Sequence, residues 1–387
     1  MNFGSRTALT DDELIRRLSH RDRHILMSES MINIPARLAN LNPVHLRNYS
    51  PSNLGNLNVL PVELLHIILH QLDFLSLFRL ARVSHHGREM VHSLPAFRDL
   101  MTYAYPALVA FGMTELLHWH SCSTLRSALS SDSCVSCGLY GPFLFLPTCE
   151  RCCYWCLSEN QSLWLIPVSK AKTIFRLSAK DLKGVPTLHT LPGVYWVRRL
   201  NRRQKRFRLL SVKIVKKIAI SIHGTEAAVE QLRYEKPCSR KDELLGRWMR
   251  KACLGPLIEN PSKQPSRANK PNDMFCGMGS IRFPVLRPGN VVEEGYWCGG
   301  CRQILERHKN SPGLLRSVEH LIPEGVNPSR VLEGMAREAR SRAQFLEHIK
   351  TCAGVERLVT QKWSLKSFNN INVDIIRTQD YQTLPVT

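Results

Sequence analysis

The sequence predicts an α+β chain that is mainly α. Three observations carry that reading: one run, Leu57 to Leu94, with a helical apolar period and clear start and stop signals; cysteines clustered as Cys-x2-Cys pairs beside short strand-like apolar stretches; and a hydrophobic share of 43% over 387 residues. That length holds two or three domains of ordinary size, and that share is what a buried core needs.

Within LNVLPVELLHIILHQLDFLSLFRLARVSHHGREMVHSL, Leu60 precedes a proline and is pushed toward extended geometry, while Pro61 suits the first helical position and Glu63 the first turn. A helix is therefore expected to begin at Pro61. At about 100° per residue, Leu64, Leu65, Ile67, Ile68, Leu69 and Leu72 fan over roughly 200°. That is wider than the stripe with which a surface helix faces one core. Asp73 can cap a second helix, whose Phe74, Leu77, Phe78 and Ala81 recur at i, i+3, i+4 and i+7, and Ser84 can open a third that ends before Pro95. So short a three-helix module rarely stabilises itself. Its surplus apolar face calls for either another part of the chain, as in an ordinary helical hairpin inside a larger core, or another protein.

Leu60-Pro61-Val62-Glu63-Leu64-Leu65, followed by Ile67-Ile68, Leu72, Leu77, Leu80, Arg82, Val83 and Ser84, resembles an F-box, the module by which substrate receptors dock onto the Skp-type adaptor of SCF ubiquitin ligases. The later segments GPFLFLPTCERCCYWCL, LPGVYWV and GYWCGGCRQILERH are similar to those in a large group of filamentous-fungal F-box proteins. The resemblance implies an N-terminal three-helix F-box over 57–97, with Leu60, Pro61, Leu64, Leu65, Ile68 and Leu72 helping to grip the adaptor and, through it, a cullin. It also implies a small Cys-rich α+β region behind the F-box that presents a protein substrate for ubiquitination. Many F-boxes place a tryptophan just after the position of Ser84, where this chain has His85 and His86.

The totals bound the partners. A net charge of +21, from 53 Lys and Arg against 32 Asp and Glu, favours acidic partners or nuclear residence. The opening MNFGSRTALTDDEL turns acidic within its first turns, and no run of about 18 apolar residues occurs, so neither a secretory signal nor a membrane span is expected. The expectation is a soluble protein of the cytoplasm, the nucleus or both. Thirteen cysteines in such a chain, grouped in Cys-x2-Cys pairs, read as metal ligands rather than disulfides.

The first cluster runs Cys134-x2-Cys137-Gly138 and then Cys149-x2-Cys152-Cys153-x2-Cys156. Two such pairs suit zinc, because each wraps one edge of a tetrahedron, and Gly138 permits the tight turn behind the first pair. Phe143 to Leu146 between them is strand-like, which suggests a zinc ribbon or treble clef. Six cysteines compete for four places. The favoured set is Cys134, Cys137, Cys149 and Cys152, with Cys153 and Cys156 as the alternative second pair.

The second cluster joins Cys298-x2-Cys301 to His348 and Cys352, which are four apart and so share a helical face. Together they make a Cys3His set for a second zinc, although Cys276 or His308 could replace one ligand. Between the clusters, the segment 194–217 is basic and interleaved with Tyr195, Trp196 and Phe207, a pattern that also fits nucleic-acid binding or a nuclear localisation patch.

The expected organisation is a mostly disordered leader over 1–56, with a short capped helix from Thr10 to Leu18; the F-box over 57–97; a region over 98–256 holding a helical segment, the first cluster (134–156) and the basic segment; a linker over 257–273; a second zinc-binding region over 274–360; and a flexible tail over 361–387. Both metal sets supply four ligands and leave no open position, and no P-loop, Gly-x-Ser-x-Gly or paired-carboxylate spacing occurs. The reading is therefore a non-catalytic receptor subunit of a ubiquitin ligase with two structural zinc ions. The alternative is a zinc-containing nucleic-acid-binding protein.

Overall fold

The computed structural model describes residues 10–20, 31–35, 38, 54–197, 199–232, 250, 252–255, 274–310, 322 and 327–360. The chain divides into two compact units, one formed by 21–297 with 337–343, the other by 1–20, 298–336 and 344–387. The linker expected over 257–273 and the tail expected over 361–387 lie outside the described residues.

Helix α1 (Asp11–Leu18) belongs to the smaller unit; the Thr10 hydroxyl accepts from the Glu13 N–H at its start, and Ile15 and Leu18 are buried. The Glu13 carboxylate turns instead to Arg16 and Arg17. With Met31 and Ile32 also buried and Ile32 N–H donating to Ser280 O at 2.9 Å, part of the expected leader is folded.

In the larger unit, α2 (Val62–Gln71), α3 (Phe74–Val83) and α4 (His85–Ser93) follow in quick succession. Pro61 is the N-cap of α2 rather than its first residue. Asp73 accepts from Ser76 N–H and Ser84 from Gly87 N–H, so both expected caps form. Helices α5 (Pro95–Tyr103), α6 (Tyr105–Met113) and α7 (Cys122–Ser130) continue the layer. Phe74 stacks on Phe97 at 4.9 Å, and Cys122 N–H donates to Leu72 O at 2.9 Å, which seats the end of α2 against the start of α7.

Strands β1 (Phe143–Phe145) and β2 (Glu150–Cys152) form an antiparallel hairpin that leads into α8 (Tyr154–Glu159). Then come β3 (Leu165–Pro167), α9 (Val168–Phe175), β4 (Thr187–His189), the hairpin β5 (Gly193–Val197) with β6 (Arg199–Arg203), β7 (Arg208–Ser211), α10 (Val212–His223) and α11 (Glu226–Glu230). Strand β7 is central, flanked by β3 and β4. Its two faces serve two cores: Leu209 joins the main one, while Leu210 packs with Trp164, Ile166, Phe175 and Val215 in a second.

Further on, β8 (Ser280–Arg282) pairs with β1, β9 (Val285–Arg287) with β10 (Val291–Glu293), and β11 (Tyr296–Cys298) with β12 (Ala339–Arg340), all antiparallel. The β1–β8 pairing corrects the expected boundary of the second region. Residues 274–297 fold with the larger unit because Phe143 and Leu144 find their partners in Arg282 and Ile281. Helices α12 (Gly299–Asn310), α13 (Pro328–Arg337), α14 (Arg342–Thr351) and α15 (Ala353–Thr360) complete the described chain.

Candidate docking face and metal centres

Helix α2 has two apolar faces. Leu65 and Leu69 point inward, while Leu64, Ile67 and Ile68 are 48%, 62% and 45% exposed. The last three stand at i, i+3 and i+4, so they form one contiguous stripe. Val59 and Val62 before it and Val83 at the end of α3 are exposed too. Of the six residues expected at this face, Pro61, Leu64 and Ile68 are exposed, and Leu60 and Leu72 are half-buried against the main core. Leu65 is a correction. It is a core residue, because the sector that contains it is already covered within the chain. Ile67, outside the expected set, is the most exposed residue of the stripe.

The first cluster gathers Cys134, Cys137, Cys153 and Cys156, whose sulfurs lie within 4.8 Å of one another. This corrects the favoured set: Cys149 and Cys152 are not in the group. Cys152 ends a strand opposite Phe143 and its thiol donates to the Phe143 carbonyl, whereas Cys149 sits in the turn between β1 and β2 with a positive φ. Burial pushes the Cys149 thiol up to about 12, so it stays protonated. Cys153 is instead the N-cap of α8, and Cys156 lies in that helix's first turn with its N–H donating to the Cys153 sulfur.

The other half is a turn. Gly138, at φ +74°, closes it by donating its N–H to Cys134 O at 2.9 Å. Asn160, at the C-terminus of α8, donates its side-chain N–H to the Ser136 hydroxyl at 2.7 Å, tying turn to helix. The succession of turn, hairpin and helix is that of a treble clef rather than a ribbon.

The second cluster brings together Cys298, Cys301, His348 and Cys352, also within 4.8 Å. Neither Cys276 nor His308 joins them; His308 Nε2 is bonded to the Ser329 hydroxyl. Cys298 ends β11, Cys301 lies in the first turn of α12, His348 in the last turn of α14, and Cys352 just before α15. Helices α12 and α15 meet at their first turns through two glycines. A Cβ on Gly300 would stand 2.5 Å from Val355 N, and one on Gly354 would fall on the Gly300 carbonyl oxygen. Only this close backbone approach brings Cys301 and Cys352 to 3.8 Å.

The donor chemistry tests whether a metal fits. A tetrahedron with zinc–sulfur bonds of about 2.3 Å has edges of about 3.8 Å; the sulfurs are 3.6 Å apart between Cys137 and Cys153 and 3.7 Å between Cys298 and Cys352. His348 Nε2 lies 3.2 Å from the Cys301 sulfur. Protons serve these groups unevenly. Hydrogen bonds from Cys137, Cys153 and Cys156 hold the Cys134 thiol far below its ordinary range, while Cys153 and Cys156 are pushed up by the same contacts, first with Cys134. Likewise Cys352 is lowered by Cys298 and Cys301, and Cys301 is raised by Cys298 and Cys352. A divalent soft cation lets every sulfur be a thiolate at once. Both groups can therefore hold a metal ion, each with four ligands and no place left for a substrate.

The F-box domain model matches residues 57–98, which span α2, α3, α4 and the start of α5. The chain carries an F-box. No curated protein and no solved structure matches it. The tryptophan common after the Ser84 position is replaced in this F-box by His85 and His86, both within reach of the Glu89 carboxylate. F-box domains bind Skp-type adaptors, and proteins that carry them are typically non-catalytic adaptor subunits. The chain's described residues also include no helix long and apolar enough to cross a membrane.

The basic segment is partly consumed within the fold behind the F-box. Lys213 bonds Glu150 at 2.7 Å, the fully buried Lys216 bonds Glu226 at 2.6 Å, and Tyr195 is buried with its hydroxyl donating to Leu191 O. Phe207 packs edge-on to Phe275. Two cations and two aromatics that nucleic-acid binding would use are thereby withdrawn.

Proposed function

We propose that this chain is a non-catalytic substrate receptor of an SCF ubiquitin ligase, docking through its F-box on a Skp-type adaptor, and through that on a cullin, and recruiting a protein for ubiquitination. The observation that carries the reading is the exposed stripe of Leu64, Ile67 and Ile68 on α2, inside the segment that matches the F-box model. Each of these side chains gains about 1 kcal/mol if a partner completes its burial. The similarity of the later Cys-rich segments to filamentous-fungal F-box proteins belongs to the same proposal, as does residence in the cytoplasm, the nucleus or both.

Zinc is the metal that fits both groups: thiolate and imidazole donors, tetrahedral edges and no carboxylate. Bound there, it braces two folds that the chain otherwise closes with short strands and single turns. Cys134, Cys137, Cys153 and Cys156 would hold one ion and Cys298, Cys301, His348 and Cys352 the other. Ubiquitin transfer then belongs to the partner ligase.

Co-expression with a Skp-type adaptor followed by gel filtration tests the reading. A stoichiometric complex that survives molar salt is expected, since burial of leucine and isoleucine is insensitive to screening. Separate elution of the two proteins contradicts it.

A further inference from the structure

The chain's charge imbalance sits mostly in one lobe. Residues 165–223 carry fifteen Lys and Arg against the single Asp181, a net +14 of the chain's +21; the remaining 328 residues carry thirty-eight against thirty-one. Lys213 and Lys216 are absorbed internally, as described above. Others reach solvent, and the sheet register collects some of them.

Strand β7 aligns Leu209 with Pro167 of β3 and Arg208 with His189 of β4. The chain thus enters β7 through Lys205 and Arg206 at the end of the sheet where β3 hands over to α9, and the first turn of α9 carries Lys170. Lys170, Lys205, Arg206 and Arg208 are all exposed, and none is ion-paired with a described acid. Helix α9 adds to the same sign, since it begins with no side-chain cap and no acidic residue in its first turn, leaving the positive end of its dipole uncompensated. Glu115 also stands at that end, with its carboxylate 2.8 Å from His189 Nδ1.

We propose that this end of the sheet grips an Asp- and Glu-rich segment of a polypeptide, and that this is how the receptor engages its substrate. Guanidinium forks and lysine ammoniums bind carboxylates without requiring a shaped pocket. A protein partner is favoured over nucleic acid because Tyr195 and Phe207 are taken up by internal packing, which leaves a surface of charge without those stacking platforms. That the partner is a protein rests on the receptor reading, so adaptor co-purification is scored separately.

The test uses the full-length chain and a fluorescein-labelled polyglutamate peptide, followed by anisotropy at low and physiological salt. Two double variants remove equal charge: Lys205→Glu with Arg206→Glu in the lobe, and Lys309→Glu with Lys350→Glu on exposed helical positions elsewhere. The lobe variant is expected to weaken peptide binding about ten-fold and the control less than about two-fold, with both effects shrinking as salt rises. Equal weakening by the two variants means that net charge, not this surface, attracts the peptide, and overturns the proposal. So does a labelled single-stranded oligonucleotide of matched charge that binds the wild-type chain more than about ten-fold tighter than the peptide, since stacking then adds what charge alone does not. Either result leaves adaptor binding untouched and therefore distinct from failure of the receptor reading.

Discussion

Leu64 and Leu65 are neighbours in the chain and face opposite environments, 48% exposed against 5%. A rotation of about 100° around the helix separates their roles: Leu65 stabilises the molecule itself, and Leu64 is left for a partner. Leu65→Ala is expected to cost about 2 to 4 kcal/mol in chemical denaturation, and Leu64→Ala no more than about 0.5 kcal/mol. Equal losses would mean that both side chains are packed internally.

The first cluster distinguishes cysteines of identical spacing. Cys153→Ser should lower the zinc content from two per chain to one, while Cys149→Ser should leave two, because Cys149 is a protonated core thiol outside the cluster. Elemental analysis of the purified variants reads this directly, and the reverse pattern would return the site to Cys149 and Cys152.

The second cluster depends on a backbone contact. Gly300→Ala puts a methyl group 2.5 Å from Val355 N, so α12 and α15 must separate and Cys301 moves from Cys352. The expected outcome is loss of one metal ion with the other retained. In cobalt-substituted protein, the bands of the three-sulfur, one-nitrogen centre should disappear while those of the four-sulfur centre persist. Full cobalt loading of the Ala variant would show that the glycines do not set the ligand spacing.

Arg151 is buried, and its guanidinium donates to the carbonyls of Ala128, Gly141 and Phe283 at 2.6, 2.8 and 2.9 Å and to that of Pro284, with the Phe283 ring 4.9 Å below it. Its pKa is lowered to about 10 by burial. Arg151→Ala leaves those acceptors in the core without donors and is expected to cost about 3 kcal/mol or more. Arg151→Lys should recover only part of this, since an ammonium cannot span the same fork of acceptors. Thermal unfolding of the two variants gives the comparison.

His20 is half-buried, but both its ring nitrogens are shut off from water without a hydrogen-bond partner, and this burial, aided by Arg302, lowers its pKa from 6.5 to about 4. The unfolded chain therefore takes up a proton that the folded one refuses. Stability from this residue is complete above about pH 6.5 and falls as the pH drops toward 4, by up to about 3 kcal/mol. His20→Phe should flatten that part of the pH profile, and an assigned His20 imidazole titrating near 6.5 in the NMR spectrum would contradict the placement.

Local signals were legible where the physics is local. The caps at Asp73 and Ser84 and the helical period through Phe74, Leu77 and Ala81 translate directly into the elements observed, and His348 and Cys352 meet in one cluster although Cys352 lies just past the end of α14 rather than on its face. What failed needed distant residues. Which part of the wide apolar sector of α2 is covered depends on the rest of the main core, and periodicity alone cannot tell Leu65 from Leu64. The pairing of β1 with β8 joins segments far apart in sequence, so the boundary expected before 274 falls after 297 instead. At the first cluster the sequence does carry a local signal. Cys152 continues the strand alternation, whereas Cys153 is followed by Tyr154-Trp155-Cys156-Leu157, which opens a helix, and a helix-capping cysteine with a second one in the first turn is the geometry that folds onto a metal.

The most direct measurement is the affinity of a purified Skp-type adaptor for Leu64→Asp/Ile67→Asp, with zinc content determined on the same sample. Both side chains are exposed in the folded chain, so the variant should keep its fold and two zinc ions while its affinity falls about a hundred-fold or more. Adaptor binding at wild-type strength would contradict docking through α2.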